Sequence, residues 1–146
     1  MSNFEMFMTA GINEDKIIEF VASKRFKDAK GNPTPWQLKA IDADLDEMIK
    51  KECTKRVPVV GANGRKTGQY TQEVDTDKYI GKLCVACTVY PNLNDSELQD
   101  FYKVKTPDAL LKKMLKAGEY TEYKAKVMEI NGYDMSMDEL VEEAKN

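Results

Sequence analysis

Apolar and polar residues alternate most clearly in IIEFVASKRF (17–26), where Ile18, Phe20, Ala22 and Phe26 fall on one side. A period of two is the signature of a half-buried strand. WQLKAI (36–41) alternates again, placing Trp36, Leu38 and Ala40 together. Between them, KDAKGNPTP supplies turn chemistry: Gly31 and Asn32 tolerate positive φ, while Pro33 and Pro35 hold their predecessors extended. The pattern predicts a β-hairpin over 17–41. Two strands alone are barely stable, so this hairpin must pack on helices or join another sheet.

From Asp42 the apolar period lengthens. Asp42 reads as the cap of a helix whose stripe is Leu45, Met48 and Ile49. Tyr79, Ile80, Leu83, Cys84, Cys87 and Tyr90 share one broad helical face, which Pro91 ends. NDSELQDFYKV starts with Asn94 as cap and Glu97 three residues on. In TPDALLKKMLKAG, Thr106 caps, Pro107 sits at the first helical position, and Gly118 reads as the stop; Leu110, Leu111, Met114 and Leu115 face inward. Tyr120, Tyr123, Val127 and Ile130 repeat the stripe before Gly132, and Ser136 with Glu139 forms a last capping box. The expectation is an α+β fold, predominantly helical, with an N-terminal β-hairpin followed by about five α-helices. Residues 1–15 read as a flexible arm and 16–146 as a single domain, hairpin 17–41 and helical part 42–146, with a mobile loop at 57–72.

That loop contains GANGRKTG (61–68), which invites comparison with a phosphate-binding loop. Counting from Gly61 puts Lys66 where a Walker A motif needs its second glycine. The adjoining residues, TGQYTQEVD, are polar and open no apolar helix, so backbone N–H groups would not converge on a phosphate. The reading is a solvated loop with two positive charges, Arg65 and Lys66.

Composition narrows the chemistry. The 146 residues carry no histidine and three cysteines. Ser-His and Cys-His couples are therefore absent, as is any imidazole base near neutral pH. Cys84 and Cys87 form a CxxC, but Cys53 alone remains to complete a zinc site, and the motif lies within an apolar segment. They read as small buried packing residues. Asp42, Asp44, Asp46 and Glu47 crowd the first turns of one helix, where the macrodipole favours acids; a catalytic carboxylate pair is the competing reading. No catalytic, metal-binding or cofactor-binding residue is assigned, and the chain is read as no enzyme.

The longest largely apolar run, LCVACTVY (83–90), is too short to span a bilayer, and the N-terminus has no basic region ahead of an apolar one. A cytoplasmic protein is expected, with no membrane partner. The net charge of −3 argues against general nucleic-acid binding. Its distribution is uneven: residues 24–66 hold eleven Lys/Arg against six Asp/Glu, and residues 119–146 hold three against eight. Such polarity can orient identical subunits, so self-association stands among the expected contacts. A small DNA-binding regulator is the alternative, with the helices of 95–117 as a helix-turn-helix offering Lys112, Lys113 and Lys116. Against it, Pro107, Asp108 and Ala109 occupy the start of the would-be recognition helix, where base-reading side chains belong. Methionine and phenylalanine set among polar neighbours suit adaptable, releasable contacts. The residues singled out for partner binding are Phe4, Met6, Phe7 and Met8 near the N-terminus, Arg65 and Lys66 in the loop, and Met135 and Met137.

Several blocks point further. SKRFKDAKGNPTPWQLKAI (23–41), CTKR (53–56), YIGKLCVACTVYPNLNDSELQDFYKV (79–104), LLKKMLKAGEY (110–120) and EINGYDMSMDELVEEAKN (129–146) strongly resemble the XkdN-like tail assembly chaperones of contractile-tailed phages and PBSX-type prophages. The resemblance runs from about residue 17 to the C-terminus. It implies a virion-assembly factor that binds the tape-measure protein, keeps it soluble, helps recruit the tail-tube protein, and is not retained in the mature virion. It brings no cofactor or metal and no transferable contact residues. The departure from the family pattern lies at 59–69, where this chain is longer.

Overall fold

The computed structural model describes residues 4–13 and 16–133. Its elements run α1 (Glu5–Asn13), β1 (Ile18–Phe20), β2 (Trp36–Leu38), α2 (Ala43–Glu52), β3 (Thr54–Val60), β4 (Lys66–Val74), α3 (Thr76–Cys87), β5 (Thr88–Tyr90), α4 (Ser96–Phe101), α5 (Pro107–Met114) and α6 (Ala117–Ile130). The class is α+β. The described residues hold two small antiparallel sheets, one ordered β1-β2-β5 and one formed by β3 and β4.

The alternation in the N-terminal segments holds over a shorter stretch than expected: only Ile18–Phe20 and Trp36–Leu38 are strands, and Ala22, Phe26 and Ala40 lie beyond them. Ile18 lies opposite Leu38 and Phe20 opposite Trp36. Trp36 and Leu38 are buried, while Ile18 and Phe20 are half-buried beside them. The hairpin is nevertheless only part of a sheet. β2 is central, because β5 pairs along its other edge, with Leu38 opposite Thr88. The segment joining β1 to β2 carries its own tight turn, where the Asp28 carboxylate accepts from the N–H groups of Lys30 and Asn32 and Gly31 takes a φ of 83°. This satisfies the local donors without a strand.

Against the three-stranded sheet packs a helical layer. α3 lies against α2, α5 and α6, and buries Tyr79, Leu83, Cys84 and Cys87. α5 contributes Leu110, Leu111 and Met114; α6 contributes Tyr123, Val127 and Met128. The Tyr123 ring meets Trp36 edge-on at 5.4 Å and Phe20 at 6.1 Å, so sheet and helices share one core. The Tyr123 hydroxyl is hydrogen-bonded to the Thr88 hydroxyl, which donates to the Cys84 carbonyl at 2.7 Å. All three cysteines are buried and free, as packing residues should be.

Several expectations need correction. The mobile loop at 57–72 is instead most of β3 and β4, with only residues 61–65 forming the turn. The predominantly helical description gives way accordingly to an α+β fold with two sheets. No residue of β4 is buried and β3 has only Val57 and Val59 half-buried, so no apolar stripe announces the ribbon. The helix assigned to 79–90 ends at Cys87, and Thr88–Tyr90 is a strand because β2 offers it an edge. On α2 only Ile49 is buried, whereas Leu45 and Met48 face solvent. α4 is capped by Asp95, whose carboxylate accepts from the Leu98 N–H at 3.0 Å, not by Asn94. Gly118 does not stop a helix; Leu115 ends α5, and Gly118 lies in the first turn of α6. Residues 5–13, read as an arm, form α1. The capping box at Ser136 lies outside the described residues.

One polar clamp ties the β1–β2 connection to the α5–α6 junction. Arg25 donates to the Met114 carbonyl at 2.8 Å and to Glu119 at 2.9 Å, and the Lys116 N–H donates to Glu119 at 2.8 Å. Hydrogen bonds from Ser23, then from the Lys116 backbone and Arg25, hold the Glu119 carboxyl down at about 2, against an ordinary value of 4.5. A carboxylate depressed in the folded state stabilises above its unfolded pKa, and that contribution is lost as pH falls through the folded one. Glu119→Gln is therefore expected to lower stability by about 1 kcal/mol at neutral pH, given the partial exposure of the pair. Urea midpoints measured down the acid range should show the gap to the parent closing between pH 4.5 and about 2. A gap independent of pH would assign the loss to packing instead.

Candidate functional site

Three surfaces collect the candidate residues. The first is α1. Met6, Phe7 and Met8 keep 69%, 68% and 64% of their surface in solvent, and Phe4 just before the helix keeps 66%. Glu5 lies in the first turn, where the helix dipole favours an acid, and the Thr9 hydroxyl donates to the Glu5 carbonyl at 3.1 Å. Four large apolar side chains within five residues thus stand exposed, three of them on a short helix and Phe4 just ahead of it.

The second is an open groove of about 810 Å³ where the exit of β2, the start of α2, β5 and the end of α6 converge. Ile18, Ile41, Leu45, Val89 and Ile130 line it, with Lys16, Lys39 and Asp42 among its polar residues. Asn131 ties its walls together. The Asn131 Oδ1 accepts from the Ile41 N–H at 2.9 Å, while its Nδ2 donates to the Val127 carbonyl at 2.7 Å and to the Cys87 sulfur at 3.3 Å. Sequence reasoning missed this surface, since its apolar residues come from four separate stretches of the chain.

The third is the β3–β4 ribbon. Its turn closes with the Gly61 N–H donating to the Arg65 carbonyl at 2.9 Å and the Gly64 N–H to the Gly61 carbonyl at 3.0 Å. Gly64 takes a φ of 78°, a conformation glycine adopts without steric cost. Gly68, at φ 81°, lies where the register slips between Pro58 and Val60. Arg65 and Lys66 stand at the tip, and the Arg56 guanidinium lies 4.1 Å from the Tyr70 ring centroid. The structure thus separates Arg65 and Lys66 in chain position and element from the Phe4–Met8 cluster. Met135 and Met137 lie outside the described residues.

The remaining chemical candidates have structural occupations. Asp42 caps α2 by accepting from the Leu45 N–H at 2.9 Å. Asp46 accepts the Tyr79 hydroxyl and pairs with Lys50 at 3.2 Å. Burial, then the bond to Asp46, pushes the Tyr79 hydroxyl well above its usual range. Burial likewise raises the thiols of Cys84, Cys87 and Cys53, which disfavours the reactive thiolate. Among the described residues no cluster of three or more His, Cys, Asp and Glu is placed to hold a metal ion. None of the described helices is long and apolar enough to cross a membrane. On α5, Lys112 and Lys113 are exposed, but Pro107, Asp108 and Ala109 at its start are half-buried. That end of the helix is poorly placed to enter a DNA groove.

Comparison with known proteins covers nearly the whole chain. The profile of the phage XkdN-like tail assembly chaperone proteins matches residues 4–145. The phage-like element PBSX protein XkdN of Bacillus subtilis (strain 168) is 32% identical over 145 residues, 99% of this chain and 94% of that protein. The protein YqbN of the same organism is 35% identical over 145 residues, 99% of this chain and 93% of its own. A crystal structure of YqbN superposes with a TM-score of 0.72 at 30% identity, covering 92% of this chain and 99% of the other.

Proposed function

The chain belongs to the phage XkdN-like tail assembly chaperones, and from that premise we propose that it binds the tape-measure protein in the host cytoplasm, keeps it soluble, and assists tail-tube assembly before leaving. The observation that carries the contact is the exposed apolar surface of Met6, Phe7 and Met8 on α1, with Phe4 beside them. A tape-measure protein presents long helical apolar surface until a tube encloses it, and transient cover for such a surface is supplied by apolar contact. Methionine and phenylalanine on a short helix can adapt to more than one register of a repetitive partner, and they release without a chemical step. Met135 and Met137 are assigned to the same contact. The reading needs no catalytic residue.

Two measurements separate the function from the site. Co-expression with the tape-measure protein should raise its soluble fraction, and the two should co-purify; failure of both sinks the function. Deleting residues 1–12 should then abolish most of that gain while the rest of the chain stays folded. If solubility is unchanged by the deletion, the function survives and α1 is not its contact.

A further inference from the structure

The ribbon of β3 and β4 has two unequal edges. The Asp75 N–H donates to the Cys53 carbonyl at 2.7 Å, which makes these two residues a hydrogen-bonded pair. In an antiparallel ladder such pairs alternate with pairs whose backbone groups point away. The observed register therefore turns the peptide groups of Thr54, Arg56 and Pro58 outward on β3, and those of Val74, Gln72 and Tyr70 outward on β4. Pro58 has no N–H to offer, so the β3 edge is blunted. The β4 edge carries no proline, and from Thr67 to Gln72 it carries no charge. An uncharged open edge is what natural sheets avoid unless something covers it. A two-stranded ribbon with almost no buried side chain is also marginal without further cover.

Charge identifies the cover. Arg65 and Lys66 lie at the tip end of β4, and Glu73, Asp75 and Asp77 lie at its base, ahead of Lys78. When such a strand pairs antiparallel with itself, each basic tip comes alongside the other copy's acidic base. The uncharged stretch then meets its own equivalent about the two-fold axis. We propose that β4 pairs antiparallel with β4 of a second copy of this chain, about a two-fold axis near Thr71, and so joins two ribbons into a four-stranded sheet. The outward N–H and C=O groups of Tyr70 and Gln72 exchange hydrogen bonds across the axis. Such an interface is isologous and closes at two copies rather than growing into a fibre. The pairing gives Arg65 and Lys66 their partner in the second copy, and it is independent of what α1 binds.

The test uses the purified full-length chain alone, by sedimentation equilibrium over a range of concentrations at about 0.1 M salt, where charge pairing is only partly screened. The expected result is a dimer. Gln72→Pro removes an N–H that points away from β3, so the ribbon's own ladder is kept while the intermolecular one is broken. Gln72→Lys instead sets two like charges beside the axis. Each should raise the dimer dissociation constant roughly tenfold or more, with an unchanged far-ultraviolet circular dichroism spectrum. Lys66→Glu, which this register sets between Asp75 and Asp77 of the other copy, should weaken the dimer. A chain that stays monomeric at every concentration overturns the proposal. So does a dimer that neither Gln72 variant disturbs, or an edge protected from hydrogen exchange only when the tape-measure protein is present.

Discussion

Trp36→Ala should cost about 3–5 kcal/mol of folding stability, the range for truncating a large aromatic in a close-packed core. Trp36 is 2% exposed and sits on the central strand of the three-stranded sheet. Its ring meets Tyr123 of α6 edge-on at 5.4 Å and Phe26 of the β1–β2 connection at 6.1 Å. Removing it therefore opens a cavity at the junction of sheet, helices and connection at once. The surroundings cannot collapse into it easily, because β2 is held by strands on both edges. Small domains are typically stable by only about 5–15 kcal/mol, so the variant should lose a large share of the total. Urea unfolding followed by circular dichroism should show a lower midpoint with an unchanged slope. Fluorescence is unsuitable, since the chain has one tryptophan. Val60→Ala on the ribbon, where the side chain is 57% exposed, makes the contrast and should shift stability by about 0.5 kcal/mol or less. A Trp36→Ala loss below about 1 kcal/mol would mean that the core is not centred on this ring.

The contrast between those two positions also explains what was legible in the sequence. Around Trp36 and Tyr123 one face is buried and the other is not, so burial writes a period into the chain. Ile18, Phe20, Trp36 and Leu38 alternate because β1 and β2 hide one face; Leu110, Leu111 and Met114 recur at helical spacing because α5 hides one stripe. The β3–β4 ribbon hides neither face, and its strands leave no such mark. Its turn does: Asn63-Gly64 between two stretches rich in Val, Thr and Tyr is a hairpin signal. Pro58 and the polar residues of β4 obscure the strands, and the structure accommodates Pro58 by leaving its missing donor on an open edge. The exposed Met and Phe of α1 stood out by composition alone. The groove did not, because nothing local in Ile41, Val89 or Ile130 shows that they will share a wall. Surfaces made of one segment can be read from sequence; surfaces made by topology cannot.

Asn131→Ala should destabilise by roughly 2–3 kcal/mol, although it deletes few atoms and leaves the apolar core untouched. The size comes from what is left behind. The amide bridges three elements: it accepts from the Ile41 N–H beyond β2, and it donates to the Val127 carbonyl of α6 and the Cys87 sulfur of α3. Alanine removes all three bonds and strands the Ile41 donor at a half-buried place, and an unmade bond costs more than a made one contributes. Asn131→Asp separates the parts of this effect. Its carboxylate still accepts from Ile41, but it points negative charge at a carbonyl and a buried sulfur, so its pKa should rise on folding. The folded state then binds more protons than the unfolded one. Stability should be poorest at neutral pH and recover as the medium is acidified through that raised pKa, the reverse of the Glu119 dependence. Thermal unfolding of both variants at neutral and mildly acid pH makes the comparison. Equal losses at both pH values for Asn131→Asp would sink the hydrogen-bond account. Because Ile41 and Asn131 both line the groove, the same substitution should loosen that wall first, seen as faster amide exchange at Ile41 than at the core residue Leu38.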